Sequence, residues 1–119
     1  MRLTEVILQV QDMQKQVEFY RDTFGLEVVT PLGLSDYSAE SWVEFDTGDC
    51  TLCMRAGGSG QFGADAPRIV FDMEWIEAAH DALLDMGVDL GDLRSPSPGV
   101  TVCDGRDPEG NAFSLERKA

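Results

Sequence analysis

Lysine is almost absent from this 119-residue chain. Only Lys15 and Lys118 occur, and Lys and Arg together number 9 against 22 Asp and Glu, for a formal net charge of -13. A phosphate backbone is held by clustered cations that replace its counterions, so nucleic acid is not an expected partner. Histidine is scarcer still. His80 stands alone, mid-helix beside Ala78, Ala79 and Asp81, and reads as an exposed helix residue rather than a catalytic base. No apolar run approaches the roughly 18 residues that span a bilayer, and Met1-Arg2-Leu3-Thr4-Glu5 turns polar at once instead of opening a signal-peptide core. The expectation is a cytoplasmic protein without a membrane partner. Cysteine is limited to Cys50, Cys53 and Cys103. Cys50 and Cys53 have CxxC spacing, yet a redox CxxC opens a helix, whereas Thr51-Leu52-Cys53-Met54 reads as a strand in which positions three apart point to opposite faces. Separate, reduced thiols are expected.

What is present suffices for a folded core. Hydrophobic residues make up 43% and aromatics 8% of a length that allows one compact domain or two half-domains. The acidity itself has two readings that composition leaves open. One is a surface adapted to high salt, where screening removes self-repulsion; the other is an ordinary acidic protein.

Along the chain, Thr4 to Val10 alternates as a strand with Val6, Leu8 and Val10 on one face. A helix follows, capped by Asp12, with Met13, Val17, Tyr20 and Phe24 on its apolar stripe and Gly25 closing it. Leu26 to Val29, Ser41 to Phe45 and Thr51 to Arg55 read as three more strands, the last two joined by the turn Asp46-Thr47-Gly48-Asp49. The same order then recurs. Arg68 to Asp72 alternates, Trp75 to Met86 has helical spacing and ends at Gly87, and Val88 to Leu90, Val100 to Cys103 and Ala112 to Glu116 are strands. Val6 aligns with Ile69, Gly25 with Gly87 and Cys53 with Ser114, at offsets of 63, 62 and 61 residues. A near-constant offset across three elements predicts an internal repeat of two βαβββ modules, 1–56 and 67–119. The segment 57–66, with Gly57, Gly58, Ser59, Gly60 and Gly63, is the expected linker.

The run EVILQVQDMQKQVEFYRDTFGLEVV, the repeated second half and the closing DPEGNAFSLE resemble the glyoxalase/bleomycin resistance/dioxygenase superfamily, also called vicinal oxygen chelate proteins. The resemblance covers essentially the whole chain. Its most specific parts are Phe19-Tyr20 with Phe24-Gly25-Leu26, and the turn Asp107-Pro108-Glu109-Gly110-Asn111. It implies an α+β fold in which two βαβββ modules curl their sheets into a cup covered by helices, and small members that act as homodimers. It does not choose among the lyases, isomerases, dioxygenases and drug-binding proteins the superfamily contains.

Strand alternation assigns faces. If Val6, Leu8, Val43, Phe45, Leu52, Met54, Ile69, Phe71, Val100, Val102, Phe113 and Leu115 pack under the helices, the opposite face carries Glu5, Trp42, Glu44, Cys53, Arg68, Asp72, Cys103, Ser114 and Glu116. So polar a face suits a wet ligand cavity better than a dry core. The resemblance places metal ligands at Glu5 and Cys53 in the first module and at Arg68 and Ser114 in the second. Of these, Glu5 is an orthodox ligand, Cys53 suits a soft metal, Ser114 is weak, and the Arg68 guanidinium cannot ligate. A register slip of two would bring Glu116 to the position of Ser114, leaving Glu5 and Glu116 as a retained metal pair. Arg68 is expected either to pair with Glu5 or to reach solvent at its strand end. It would offer an oxyanion a forked donor, whereas Glu5, Glu44, Asp72 and Glu116 would favour a cation, and Trp42 offers a stacking wall. The expectation is a protein that binds, and by binding can sequester, a small organic drug or metabolite without a cofactor. The alternative is a metal-dependent lyase, isomerase or dioxygenase of the glyoxalase type, using a divalent ion.

Overall fold

A computed structural model describes residue 3 and residues 5–57 and 67–118. The expected linker therefore lies, from residue 58 to 66, outside the described residues. The chain divides into two compact units, each with its own sheet and one helix.

In the first unit Val10, Leu8, Val43, Phe45, Leu52 and Met54 are buried, which is the alternation the strands were read from. β1 (Glu5–Val10) leads into α1 (Met13–Phe24), followed by β2 (Glu27–Thr30), β3 (Trp42–Asp46) and β4 (Thr51–Ala56). The sheet order is β1-β4-β3-β2, with β1 and β4 parallel and the other pairs antiparallel. α1 starts where expected. The Asp12 carboxylate accepts the Lys15 N–H at 3.1 Å, and Gly25, at φ 66°, takes the left-handed conformation that ends the helix. Its Met13, Val17 and Tyr20 are buried, with Tyr20 edge-on to Phe19 at 5.2 Å between ring centres.

The second unit repeats the plan with one change. β5 (Ile69–Asp72), α2 (Ile76–Asp85), β6 (Asp89–Leu90), β7 (Arg94–Ser97), β8 (Val100–Arg106) and β9 (Ala112–Lys118) follow in order. β5 pairs with β9 in parallel and β9 with β8 antiparallel, while β6 and β7 both pair with β8. β6 meets Gly105 and Arg106, and β7 meets Val100 and Val102, so the two short strands together occupy the place of β2 in the first unit. β7 was not expected, since Arg94-Ser95-Pro96-Ser97 reads as loop; Pro96 is tolerated because this is an edge strand with a register shift. α2 is one residue shorter at each end than its periodicity suggested. Met86 is its exposed C-cap rather than a core residue, and Gly87, at φ 83°, follows.

β8 also runs three residues further than expected, and its phase is the reverse of the sequence reading. Cys103 lies opposite Leu115 and Gly105 opposite Phe113, so Cys103 and Gly105 face the apolar side; Val100, Val102 and Asp104 share the other face with Ser114 and Glu116. Among the described residues no helix is long and apolar enough to cross a membrane.

Candidate ligand-binding faces

Each sheet turns one face away from its buried side, and most of the expected site residues stand on these faces. In the first unit the register aligns Glu5 with Thr51, Ile7 with Cys53, Glu44 with Cys53, and Trp42 with Arg55. Paired residues share a face, so Glu5, Cys53, Glu44 and Trp42 do come together. The Cys53 thiol, wholly buried, donates to Glu5 Oε2 at 3.6 Å. Burial, reinforced by the negative charges of Glu5 and Glu44, pushes that thiol up to about 12. It is a protonated donor to Glu5 with the Glu44 charge nearby, which disfavours a free thiolate nucleophile. Trp42 Nε1 donates to Glu44 Oε2 at 3.1 Å, and the Arg55 guanidinium lies 5.4 Å from the Trp42 ring centre, so one face of the indole already has a cation against it.

In the second unit the centre is a residue the sequence reading did not single out. Asp104 accepts Arg68 Nη1 at 2.7 Å and the Ser114 hydroxyl at 2.6 Å on Oδ1, and Arg94 Nη1 at 2.6 Å on Oδ2. Arg68 Nη1 also donates to Ser114 Oγ at 3.1 Å. Partial burial raises the Asp104 carboxyl, but the hydrogen bonds from Ser114 and Arg94 and the charges of Arg68 and Arg94 outweigh it, leaving the group below its ordinary value. Arg68 is thus engaged by Asp104 and Ser114, where the sequence reading gave it Glu5 or solvent. Local pattern does not reveal Asp104, because Val100 to Cys103 already reads as a complete strand, nor Arg94, because Pro96 makes its segment read as loop.

Glu116 is paired with Asp72, and Ser114 with Val70, so no two-residue slip brings Glu116 to the position of Ser114. Asp72, Glu116, Val70 and Lys118 line an open depression of about 420 Å³, in which Lys118 Nζ lies 3.8 Å from Glu116 Oε1. Cys103 is a correction. It is fully buried on the apolar side against Leu115 and cannot line the polar face; burial is also the main cause that raises its thiol. His80 is a second correction. Instead of lying open, its imidazole is mostly covered, with Nε2 2.9 Å from the Gly91 carbonyl, which ties α2 to the segment between β6 and β7.

The four positions that the resemblance assigns to metal ligands therefore meet in two pairs, Glu5 with Cys53 and Arg68 with Ser114. They do not fit a divalent ion. One pair offers a single carboxylate with a thiol bonded to it, the other a guanidinium, which cannot ligate, and a hydroxyl already bonded to Asp104. Among the described residues no three His, Cys, Asp or Glu side chains are grouped to hold a metal.

Comparison with known proteins gives the following. The family model for the glyoxalase/bleomycin resistance protein/dioxygenase superfamily matches residues 2–115. Among solved structures, the genomically encoded fosfomycin resistance protein FosX from Listeria monocytogenes is 20% identical, covering 100% of this chain and 94% of its own, with a TM-score of 0.78. A lactoylglutathione lyase from Agrobacterium tumefaciens is 22% identical, covering 97% and 92%, with a TM-score of 0.74. A protein of unknown function from the same organism, strain C58, is 24% identical, covering 100% and 95%, with a TM-score of 0.78. At these identities the likeness is one of fold. No curated protein matches significantly.

Proposed function

Because the chain belongs to the glyoxalase/bleomycin resistance protein/dioxygenase superfamily, we propose that it binds a small organic molecule on the polar faces of its sheets, without a catalytic metal. One observation carries the reading: at the positions where the resemblance places metal ligands, the second unit has Arg68 bonded to Ser114 and Asp104, with Arg94 on the same carboxylate. Two guanidiniums against one carboxylate leave a positive charge. A dication close to it would be repelled by several kcal/mol at an intermediate effective dielectric. In the first unit, taken by itself, the Cys53 thiol is bonded to Glu5 as a donor. On this reading ligand binding involves no bond change and serves to sequester a drug or metabolite. The protein acts in the cytoplasm, in keeping with its three free cysteines, and as a homodimer, which light scattering would check.

The test is a thermal-shift screen of the full chain against small molecules and against manganese, nickel and zinc, with and without chelator. Metal content is measured in parallel after purification without chelators. Stabilisation by organic molecules that survives chelation is the expected result. Stoichiometric bound metal, with stabilisation abolished by chelator, would overturn the reading in favour of a metal-dependent lyase, isomerase or dioxygenase.

A further inference from the structure

In a chain with a net charge of -13, the second unit concentrates two of its few cations on one carboxylate. Arg68 stands on the polar face just before β5, and Arg94 on the edge strand β7, opposite Val102 and diagonal to Asp104. Each guanidinium uses only Nη1 in this cluster. Among the described residues Nε and Nη2 of both have no partner, and the two side chains are 48% and 53% exposed. A guanidinium whose Nη1 is fixed keeps its remaining N–H groups in a rigid planar fork, the geometry that takes two oxygens of one oxyanion. Asp104 thereby holds two such forks in place while cancelling only one of the two charges.

Beside the forks stands one exposed apolar side chain, with Asp72 and Glu116 further along the same face. Val70 is 52% exposed although it sits within a strand, two residues from Arg68 on the same face and directly beside Ser114. An exposed valine next to half-free guanidiniums suits a molecule with a charged head and a short apolar body better than it suits a bare ion.

Resting on the proposed small-molecule function, we infer that the second unit is an oxyanion site: Arg68 and Arg94, held by Asp104 and Ser114, grip the carboxylate or phosphonate group of a small ligand whose apolar part lies on Val70. Arg68 and Arg94 are binding residues, and Asp104 is a positioning residue.

The full-length protein is titrated calorimetrically with four probes of one shape: benzoate, phenylphosphonate, neutral benzamide and cationic benzylamine. Arginine Nε–H signals are followed by NMR during the same titrations. The expected result is saturable binding of benzoate or phenylphosphonate, with shifts in the Nε–H signals of Arg68 and Arg94. The stronger of the two names the oxyanion. Arg94→Gln, at an exposed edge-strand position, is expected to weaken binding about tenfold or more, and Arg68→Gln is the independent second variant. Circular dichroism confirms that each is folded. Anion binding that leaves both arginine signals unmoved, or that is unchanged in both folded variants, overturns the inference. Preference for benzamide or benzylamine also overturns it while leaving the small-molecule function standing. Absence of binding by all four overturns it, and the broader screen then decides the function separately.

Discussion

Cys53 permits the most quantitative test of the first unit. Its thiol is wholly buried, donates to Glu5 and lies near Glu44, and these surroundings lift it from 9.0 to about 12. Three pKa units correspond to about 4 kcal/mol of preference for the protonated form. The folded state keeps this proton after the unfolded chain has lost it. From about pH 9 to about pH 12 the unfolded state therefore binds fewer protons, and stability falls as pH rises, by about 1.4 kcal/mol per pH unit from this group. The contribution is complete below pH 9, about 1.4 kcal/mol smaller at pH 10, and lost near pH 12. Urea unfolding from pH 8 to pH 10.5, run on the parent and on Cys53→Ala, isolates it, because every other titration is common to both proteins. The parent is expected to lose about 1–2 kcal/mol more than the variant across that range. Reactivity gives an independent readout: near pH 8 the native thiol has about a thousandfold less thiolate than the unfolded one, so mass-mapped iodoacetamide labelling at Cys53 should be slower by at least that factor. Identical pH slopes for parent and variant, or labelling of Cys53 as fast in the native protein as in urea, would refute the buried donor between two carboxylates.

Three further outcomes follow from the same structure. A Cβ added at Gly105 would sit 2.5 Å from Phe113 Cζ and 2.7 Å from the Asp89 carbonyl, so Gly105→Ala should cost about 2 kcal/mol or more in urea unfolding, and a neutral result would contradict the packing of Phe113 on β8. Asp107, 5% exposed, accepts the Glu109 and Asn111 N–H groups at 2.9 Å and Asn111 Nδ2 at 2.8 Å; Asp107→Ala should therefore destabilise by about 2–4 kcal/mol, measured by thermal and urea melts. The N-cap of α2 is Trp75, which is 73% exposed and makes no side-chain capping bond, so Trp75→Ser should stabilise by about 0.5–1 kcal/mol, and a loss would show that the indole is covered in solution.

The first unit was legible because its signals agree. Asp12 caps, Gly25 ends, and Val6, Leu8, Val43, Phe45, Leu52 and Met54 alternate cleanly against Glu5, Trp42, Glu44 and Cys53, so one pattern settles both the fold and the face. The second unit was legible in plan but not in phase. Along Val100-Thr101-Val102-Cys103-Asp104-Gly105-Arg106 neither alternate set is uniformly apolar. The valines pointed to the wrong side, and the deciding residues are Phe113 and Leu115 on the neighbouring strand, which lie opposite Gly105 and Cys103. Gly105 is bare because Phe113 fills the space a side chain would need, a fact local propensity cannot hold. The same error hid Asp104, and a proline in β7 hid Arg94. The charges most able to select a ligand in the second unit were thus the ones whose positions depend on pairing with a neighbouring strand rather than on the pattern of their own.

The interruption between β6 and β7 bears on how the protein behaves at high concentration. A continuous, flat outer strand offers a row of unpaired backbone groups to any other chain that can lie alongside it. Here that border is broken into pieces of two and four residues, carries Pro96 and shifts register between Arg94 and Ser97, while its counterpart β2 is bulged between Val28 and Thr30. Neither outline gives an incoming strand more than a few evenly spaced partners. The irregularity that places Arg94 beside Asp104 also makes this margin a poor template for growth into fibrils.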